Sequence, residues 1–255
     1  MRRFAGTQPP ACAGVEYIVS WQLPQQALHA DVPEVLMSRK DIQVYKTATK
    51  GLCVNRNLAM QHASAPLCLI ADDDVIYDAS RSFHAIIEAF QNTDADVICF
   101  KSTCSGKELK PYPHTPVYVD QAPKGWYAIS FEIAYRRNGP AAGIRFNEHF
   151  GIGSDTIFQA GEEDIWLHDV RKAGASVMIF PYTICEHNHD TTHEKHCGEN
   201  WFVMTSGAVH AHLHPYTWPL RCLHHALRQK RMSRLRYFML CIKGVLTSRR
   251  RTCFK

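Results

Sequence analysis

The sequence predicts an α/β fold with a doubly wound sheet, and three observations favour it. Apolar segments typical of strands alternate with segments of helical spacing over about 90 residues, an order characteristic of such folds. Residues 67–71 are apolar on both faces, as strands of a parallel sheet tend to be. The chain has 255 residues, 45% of them hydrophobic and 21% charged, which is ordinary for a globular protein. Disorder, collagen and coiled coil are therefore excluded as its main description.

Each predicted element follows from a local pattern of apolar residues. In the first half, strands are predicted at residues 15–21, 41–45, 66–71 and 95–100, and helices at residues 55–63 and 80–90. In the second half, strands are predicted at residues 126–135 and 175–180, the latter ending at Pro181. A helix is predicted at residues 161–173, because acids open it and Lys172 and Gly174 close it.

The predicted organisation is a leader at residues 1–14, one domain at residues 15–215 and a basic helical tail at residues 216–255. The longest strictly apolar run is six residues, at 237–242. A membrane-spanning helix needs about 20 such residues, so none is predicted. A secretory signal is not expected either, because Pro9 and Pro10 interrupt the basic N-terminus.

Ten cysteines are scattered along the chain without a C-x-x-C pair. In a chain of this length with no predicted signal, loose spacing favours free thiols over a disulfide framework. We therefore expect a cytoplasmic location.

Three adjacent acids, Asp72, Asp73 and Asp74, follow directly on the apolar strand at residues 66–71. In an open α/β sheet, ligands bind outside the carboxyl ends of the strands. Three carboxylates at one place repel one another, and Mg²⁺ or Mn²⁺ relieves this while holding phosphate oxygens. The alternative is a solvated turn in which an aspartate caps the next helix.

Four segments in order resemble the family 2 glycosyltransferases of the GT-A fold. They read GLCVNRNLA at 51–59, DDDVIY at 72–77, FNEHFGIG at 146–153 and GEEDIWL at 161–167. The resemblance covers roughly residues 15–190 and is greatest to bacterial enzymes of surface-polysaccharide assembly. It implies a GT-A sheet, mixed and mostly parallel, with flanking helices, followed in this chain by the basic amphipathic helical tail.

The resemblance implies that the three acids bind the donor, a nucleotide-diphosphate sugar. Asp72 would hold the ribose or the base, and Asp74 would bind the Mn²⁺ or Mg²⁺ that bridges the diphosphate, with Asp73 assisting beside them. Many relatives carry an acid shortly before Gly51 that reads the base. Residues 46–50 contain none, so a UDP-sugar is only the default donor.

Two further pairs of residues are assigned to the same donor site by the resemblance. Arg56 and Asn57 open a helix near that edge and would face the diphosphate. Helix capping and a surface ion pair are the alternative for these two. Ser20 and Trp21 end the first strand and would line the nucleotide pocket, although packing alone explains Trp21 equally well.

The acids at the start of the helix at residues 161–173 are the candidates for catalysis. The resemblance makes Asp164 the general base that takes the proton of the acceptor hydroxyl. One base and one displacement imply inversion of configuration at the anomeric carbon. Glu163 would orient or bind the acceptor, a saccharide or a lipid-linked saccharide. The alternative is that the helix dipole simply favours acids there.

A segment rich in histidine and cysteine follows the last predicted strand. Many family members complete the metal site with a histidine at this place, and His187 is the first candidate, with His189 close behind. A structural zinc site is the alternative, although the spacings fit no standard finger. Its ligands would come from Cys185, His187 or His189, His193, His196 and Cys197.

The tail concentrates the positive charge of the protein. Residues 221–255 hold eleven Lys or Arg and no Asp or Glu, while the full chain has a net charge of +5. Leu235, Phe238, Met239, Ile242 and Leu246 lie at helical spacing among these cations. This pattern favours docking on an anionic membrane surface. A helix packed on the domain with a solvated basic face is the alternative, and nucleic-acid binding is not expected.

Two other classes of function remain open from the residues alone. The aspartate cluster after a strand also suits a phosphatase of the haloacid dehalogenase type. The histidine-rich segment and the tail together suit a non-catalytic module that binds zinc or nucleic acid. Metal-dependent release of UDP, release of phosphate from simple esters, and tightly held zinc distinguish the three.

Overall fold

The computed structural model describes residues 11–187, 196 and 198–252. These residues divide into two compact units that interleave along the chain. The first unit comprises residues 11–49, 54–145 and 169–187. The second comprises residues 50–53 and 146–168 and the described residues from 196 onward. The predicted boundary at residue 216 stays a prediction.

The first unit begins with a parallel strand pair. Strand β1 (Tyr17–Gln22) pairs with β2 (Ile42–Thr47), with Tyr17 opposite Ile42. The short helix α1 (Glu34–Met37) lies between them in sequence, and α2 (Leu52–His62) follows, of which residues 54–62 belong to this unit. A parallel pair requires a crossover, which is why a helix-containing segment connects these two strands.

A seven-stranded sheet forms the centre of the first unit. Its main path runs in the order β3-β8-β5-β9-β4, with β6 added to β5 and β7 added to β9. Helix α3 (Ala79–Gln91) begins at Asp78, whose carboxylate accepts a hydrogen bond from the backbone N–H of Arg81. The strands are β3 (Leu67–Leu69), β4 (Val75–Tyr77), β5 (Val97–Cys104), β6 (Lys107–Glu108), β7 (Val117–Tyr118), β8 (Ile133–Arg136) and β9 (Val177–His187).

The fold class is confirmed as a mixed α/β structure with a central sheet and flanking helices, but strand direction differs from the expectation. Among the described residues, β5 and β9 form the single parallel pair in the larger sheet, and its other pairings are antiparallel. Strand β8 inserts antiparallel between β3 and β5. Its first three residues are buried. Its apolar sequence therefore indicates that the strand is buried, and does not indicate whether it runs parallel or antiparallel to its neighbours.

Strand β9 is longer than the sequence predicts, because Pro181 does not end it. The register between β9 and β5 shifts between Cys99 and Lys101, which brings Pro181 to an irregular part of the ladder. Proline is tolerated at such a bulge, where its missing N–H is not needed. The strand therefore continues to His187, which lies at its carboxyl end.

The core of the first unit lies between the sheet and its helices. Strand β5 is the centre, with Ile98 and Phe100 fully buried. Phe131, Phe180 and Ile184 join the same cluster. Because this core is buried, it fixes the position of the sheet edge at which Asp72, Asp73 and Asp74 lie.

The second unit is largely helical. Its helices are α4 (Glu162–Lys172), of which residues 162–168 belong to this unit, α5 (Asn200–Leu213), α6 (Trp218–Arg228) and α7 (Arg234–Thr252). Helix α5 packs Ala208 and Val209 against Phe158 and Ile165. None of the helices in the described part of the chain has the length and apolar character that crossing a bilayer requires.

Candidate active site

The aspartate cluster lies on the connection between β3 and β4. Strand β4 pairs antiparallel with the end of β9, with Val75 opposite His187. Asp74 is therefore brought next to His187, and its Oδ1 lies 3.8 Å from the imidazole Nε2. Both side chains are mostly shielded from solvent, with exposures of 29% and 12%. The structure thus brings together the two residues predicted to hold a metal ion.

Arg56 lies beside Asp72 at the same site. Its guanidinium Nη2 is 3.1 Å from Asp72 Oδ1 and donates a hydrogen bond of 2.5 Å to Ser130 Oγ. Only 6% of the Arg56 side chain is exposed, against 26% of Asp72, so the ion pair considered from the sequence is partly buried. A buried cation this close fixes the position of the Asp72 carboxylate by a charge-assisted hydrogen bond.

The segment that carries Ser130 also touches the metal candidate. The ring of Phe131 stacks on His187, with centroids 5.1 Å apart and planes 7° apart. The Phe131 carbonyl accepts a hydrogen bond of 3.0 Å from the Tyr77 hydroxyl. Burial, with smaller contributions from Cys185 and Asp72, raises the pKa of Tyr77 well above its usual value, so it stays a neutral donor. Residues 130 and 131 therefore fix both Arg56 and His187.

A buried ion pair between Lys110 and Glu132 stabilises the segment that carries Ser130 and Phe131. Lys110 Nζ lies 2.5 Å from Glu132 Oε2, and neither side chain is exposed. Ser102 and Tyr112 both donate hydrogen bonds to Glu132, and Lys110 donates one of 2.5 Å to the Tyr127 carbonyl. Burial, and then the neighbouring Glu132, raise the pKa of Tyr112.

Sequence reasoning missed Ser130, Phe131 and the Lys110–Glu132 pair. The one available signal was a glutamate inside an otherwise apolar stretch, residues 131–135. Such a residue is rarely buried without a cation. The partner, Lys110, lies 22 residues earlier in the sequence, where no local pattern connects it to Glu132.

Ser20, which was predicted to line the nucleotide pocket, contacts α2 through Asn55 and not through the predicted Asn57. Ser20 Oγ donates to Asn55 Oδ1 at 3.0 Å, and the Asn55 amide donates to Gln22 at 3.3 Å. Asn57 lies two residues further along α2 and is half-buried. Trp21 is also half-buried, with Lys46 Nζ 5.9 Å from its ring centroid. Asn55 is thus a further polar residue at this edge.

The catalytic candidates lie in the second unit, at the start of α4. Glu162, Glu163 and Asp164 form its acidic first turn, in which Glu162 is buried and the other two are half-buried. Gly161 precedes them at φ +85°, and a Cβ there would lie 2.5 Å from a methyl group of Val209. Trp166 is fully buried and stacks on Phe146 with ring centroids 5.3 Å apart, so it belongs to the core of this unit.

The donor set at Asp74 and His187 fits a divalent ion that takes its remaining ligands from a substrate. Metal–ligand distances of about 2.0–2.2 Å let one ion reach both atoms across their separation. Among the described residues, no group of three or more His, Cys, Asp or Glu converges as a complete protein cage. Mg²⁺ is usually held by one or two carboxylates together with phosphate oxygens, which agrees with a pair.

Half of the six candidate ligands of the zinc alternative fall outside the described residues. His189, His193 and Cys197 lie among residues that the structure does not describe. Cys185 is described and buried, and its thiol donates to the Phe131 carbonyl. Burial raises the pKa of Cys185, which disfavours the thiolate that zinc requires. The choice between His187 and His189 as the metal ligand stays a prediction.

Solved structures with the same fold were found. S. aureus TarS superposes with a TM-score of 0.55 and 12% identity, over 96% of this chain and 39% of TarS. TarS 1–349 in complex with UDP gives 0.57 and 14%, over 90% of this chain and 70% of that chain. The complex of TarS 1–349 with UDP-GlcNAc gives 0.61 and 14%, over 96% and 76%.

The chain therefore spans about two fifths of the length of full TarS, and at this identity the likeness shows the fold alone. No curated protein sequence matches the chain. The sequence model of the family described as "Glycosyl transferase family 2" matches residues 26–158, more than half of the chain. The resemblance seen in the four motifs is thereby confirmed, and the chain belongs to glycosyl transferase family 2.

Proposed function

We propose that the chain is an inverting glycosyltransferase that moves a sugar from a nucleotide-diphosphate sugar, by default a UDP-sugar. Its acceptor is a saccharide or lipid-linked saccharide in cell-surface polysaccharide synthesis. The observation that carries the proposal is the pair of fixed carboxylates at one sheet edge, Asp72 beside Arg56 and Asp74 beside His187. Family membership supports it, as do the UDP and UDP-GlcNAc named in the TarS complexes.

In this proposal, Asp74 and His187 hold a divalent cation, Mn²⁺ or Mg²⁺. When bound, such an ion neutralises the charge that develops on the nucleoside diphosphate as it leaves. Phe131 keeps the imidazole of His187 in one orientation by stacking on it. A ligand that is already oriented loses less entropy when the ion and donor bind.

Asp72 accepts hydrogen bonds from the ribose or the base of the donor, with Asp73 assisting. A single nitrogen of Arg56, Nη2, donates to both the Asp72 carboxylate and the Ser130 hydroxyl, and so fixes the carboxylate in place. Asn57, Ser20 and Trp21 complete the donor-binding set. A carboxylate held in place in this way discriminates donors by hydrogen bonding rather than by shape alone.

Asp164 is the proposed general base. It takes the proton of the acceptor hydroxyl while that oxygen attacks the anomeric carbon and the diphosphate departs on the opposite side. The single displacement inverts the configuration. Glu163 orients the acceptor. The match of residues 161–167 to the family motif and the half-buried acidic first turn of α4 support these roles.

A cytoplasmic location accompanies this proposal. The eight cysteines within the described residues are free thiols, five of them buried. Buried free thiols suit a reducing compartment, which supports a cytoplasmic location, on the inner face of the membrane where the tail docks.

Calorimetric titration with UDP tests the donor site. Wild-type protein should bind UDP in the presence of Mn²⁺ and lose most of this affinity when the metal is chelated. Asp74→Asn should weaken metal-dependent binding at least tenfold, because a neutral amide oxygen attracts a divalent cation less than a charged carboxylate does. Asp94→Asn removes an exposed carboxylate elsewhere in the same unit and serves as the matched control. Equal binding by Asp74→Asn and wild type would refute the metal role of Asp74.

Turnover tests the base. Asp164→Asn should bind UDP like the wild type and lose sugar transfer by about 10²–10⁴-fold, the range typical of general-base catalysis. Asp155→Asn is the control in the same unit, since 78% of that side chain is exposed. Normal turnover by Asp164→Asn would remove Asp164 as the base and leave the donor site untouched.

A further inference from the structure

Helix α7 is locked against α5 in one rotational setting. A Cβ at Gly244 would overlap the carbonyl oxygen of Met204, and a Cβ at Gly207 would overlap the carbonyl oxygen of Cys241. The two backbones therefore touch at both glycines. Cys241 and Val245 are fully buried on the same side of α7. This contact decides which face of α7 is turned outward.

The outward face of α7 is apolar along its middle. Leu235, Met239 and Leu246 are exposed by 73%, 56% and 53%. With Ile242 they lie within about 60° of one another on a helix that turns 100° per residue. Met239, Ile242 and Leu246 line a shallow groove of about 400 Å³ together with Leu240 and the cations Arg236 and Lys243. The apolar stripe is thus flanked by positive charge.

Helix α6 repeats the same arrangement. Leu220, Leu223 and Leu227 are exposed by 69%, 42% and 52%, at a spacing that places them on one face. Its opposite face buries Cys222 and Ala226. Arg221 and Arg228 lie on the same helix. Exposed leucines in both helices are therefore a property of the tail and not of one residue.

Charge identifies the kind of partner. Residues 221–255 carry eleven cations and no anion, so two copies of this surface repel each other. Nucleic acid would contact only the cations, through its phosphates. It would leave the exposed stripe of leucine and methionine side chains without a binding partner. An anionic bilayer matches both features, because headgroups attract the cations and the acyl boundary accepts the apolar side chains.

We propose that the apolar and basic face of α6 and α7 is a docking surface for an anionic lipid bilayer. Leu235, Met239 and Leu246 enter the boundary between headgroups and acyl chains, and Arg236 and Lys243 pair with lipid phosphates. This inference rests on the second unit alone. It therefore stands or falls independently of the sugar-transfer proposal.

Sedimentation of the full chain with vesicles tests the docking surface. The chain should bind vesicles of phosphatidylcholine and phosphatidylglycerol and should bind pure phosphatidylcholine weakly. The double variant Arg236→Gln, Lys243→Gln should bind about 25-fold more weakly, since each cation near an anionic surface contributes about fivefold. Raising the salt concentration should act in the same direction.

Apolar insertion is tested by Met239→Glu combined with Leu246→Glu, which should abolish vesicle binding. Both residues are exposed, so the melting temperature should hold. Met37→Glu is the matched control, because Met37 is 70% exposed on α1 in the first unit. It should bind vesicles like the wild type.

Three results would overturn the inference. One is equal binding of the wild type and of the Met239→Glu, Leu246→Glu variant to anionic vesicles. Another is a dimer in sedimentation equilibrium that the same variant dissociates, which would assign the face to a second copy. The third is tight DNA binding that the variant retains while vesicles are not bound.

Discussion

At the scale of single residues, fully buried side chains stabilise the candidate site around Asp72 and Asp74 in the first unit. Glu132 and Lys110 are fully buried and bonded to each other, and the two residues before Glu132 contact Arg56 and His187. A buried ion pair is costly to form, but it is far more costly to break on one side. We therefore expect this pair to control both stability and the geometry of the metal candidate.

Glu132→Gln should lower the free energy of unfolding by about 3–5 kcal/mol, because it leaves the Lys110 ammonium buried without its carboxylate. Chemical denaturation measures this directly. The control is Glu108→Gln, which removes the exposed partner of Lys101 and should change stability little. A midpoint unchanged by Glu132→Gln would show that the buried pair does not support the fold.

His210 on α5 should make the protein less stable in mild acid. Burial, and then the neighbouring His225 and His214, lower the pKa of His210 to about 4 from an ordinary value of 6.5. Its ring stacks on His225 at 4.8 Å. The unfolded state therefore takes up a proton first as the pH falls below about 6.5, so stability is complete above that pH and declines towards pH 4.

Melting temperatures recorded between pH 7 and pH 4 test this. His210→Gln should flatten the decline, whereas His29→Gln at an exposed position should leave its slope as in the wild type. A wild-type slope in His210→Gln would assign the acid sensitivity to other groups, such as His225, whose pKa burial also lowers.

At the scale of elements, local patterns predicted where strands and helices lie, and distant contacts decided the rest. The placement of Asp72 to Asp74 after β3 was predictable because it depends on a local apolar run. The direction of β8 was not, since both of its faces are buried in either orientation. Ser130 was missed because its partner Arg56 is 74 residues away in sequence.

Proline also showed the limit of local patterns. Pro181 predicted the end of a strand, but the bulge in the ladder with β5 absorbs it. As a result His187 lies in the strand opposite Val75, and so beside Asp74. Its selection as the first metal candidate from the sequence rested on its closeness to the strand end, which the longer strand preserves.

The glycines between α5 and α7 give a prediction for these elements. Gly244→Ala should destabilise the protein by about 1–3 kcal/mol, because the added methyl group forces the two backbones apart. Gly143→Ala is the matched control, since a Cβ there meets nothing within 4 Å. It should be neutral or slightly stabilising. Equal stability of the two variants would mean that the helices do not approach as closely as described.

At the scale of the whole molecule, charge is divided between the body and the tail. The eleven cations after residue 220 leave 18 basic against 24 acidic residues in the rest of the chain, a net charge of −6. The proposed donor site and the proposed docking surface thus lie in parts of the chain with opposite net charge. Removing vesicles should leave transfer to a soluble acceptor unchanged, because the docking surface contributes no residue to the donor site.

Release of nucleoside diphosphate tests the central claim most directly. The full chain is mixed with Mn²⁺ and a panel of UDP-sugars, and free UDP is followed with time. We predict release of UDP from at least one of these sugars, abolished by chelation and by Asp74→Asn. Liberation of inorganic phosphate from a simple phosphate ester, with every UDP-sugar left intact, would contradict the account and favour a phosphatase.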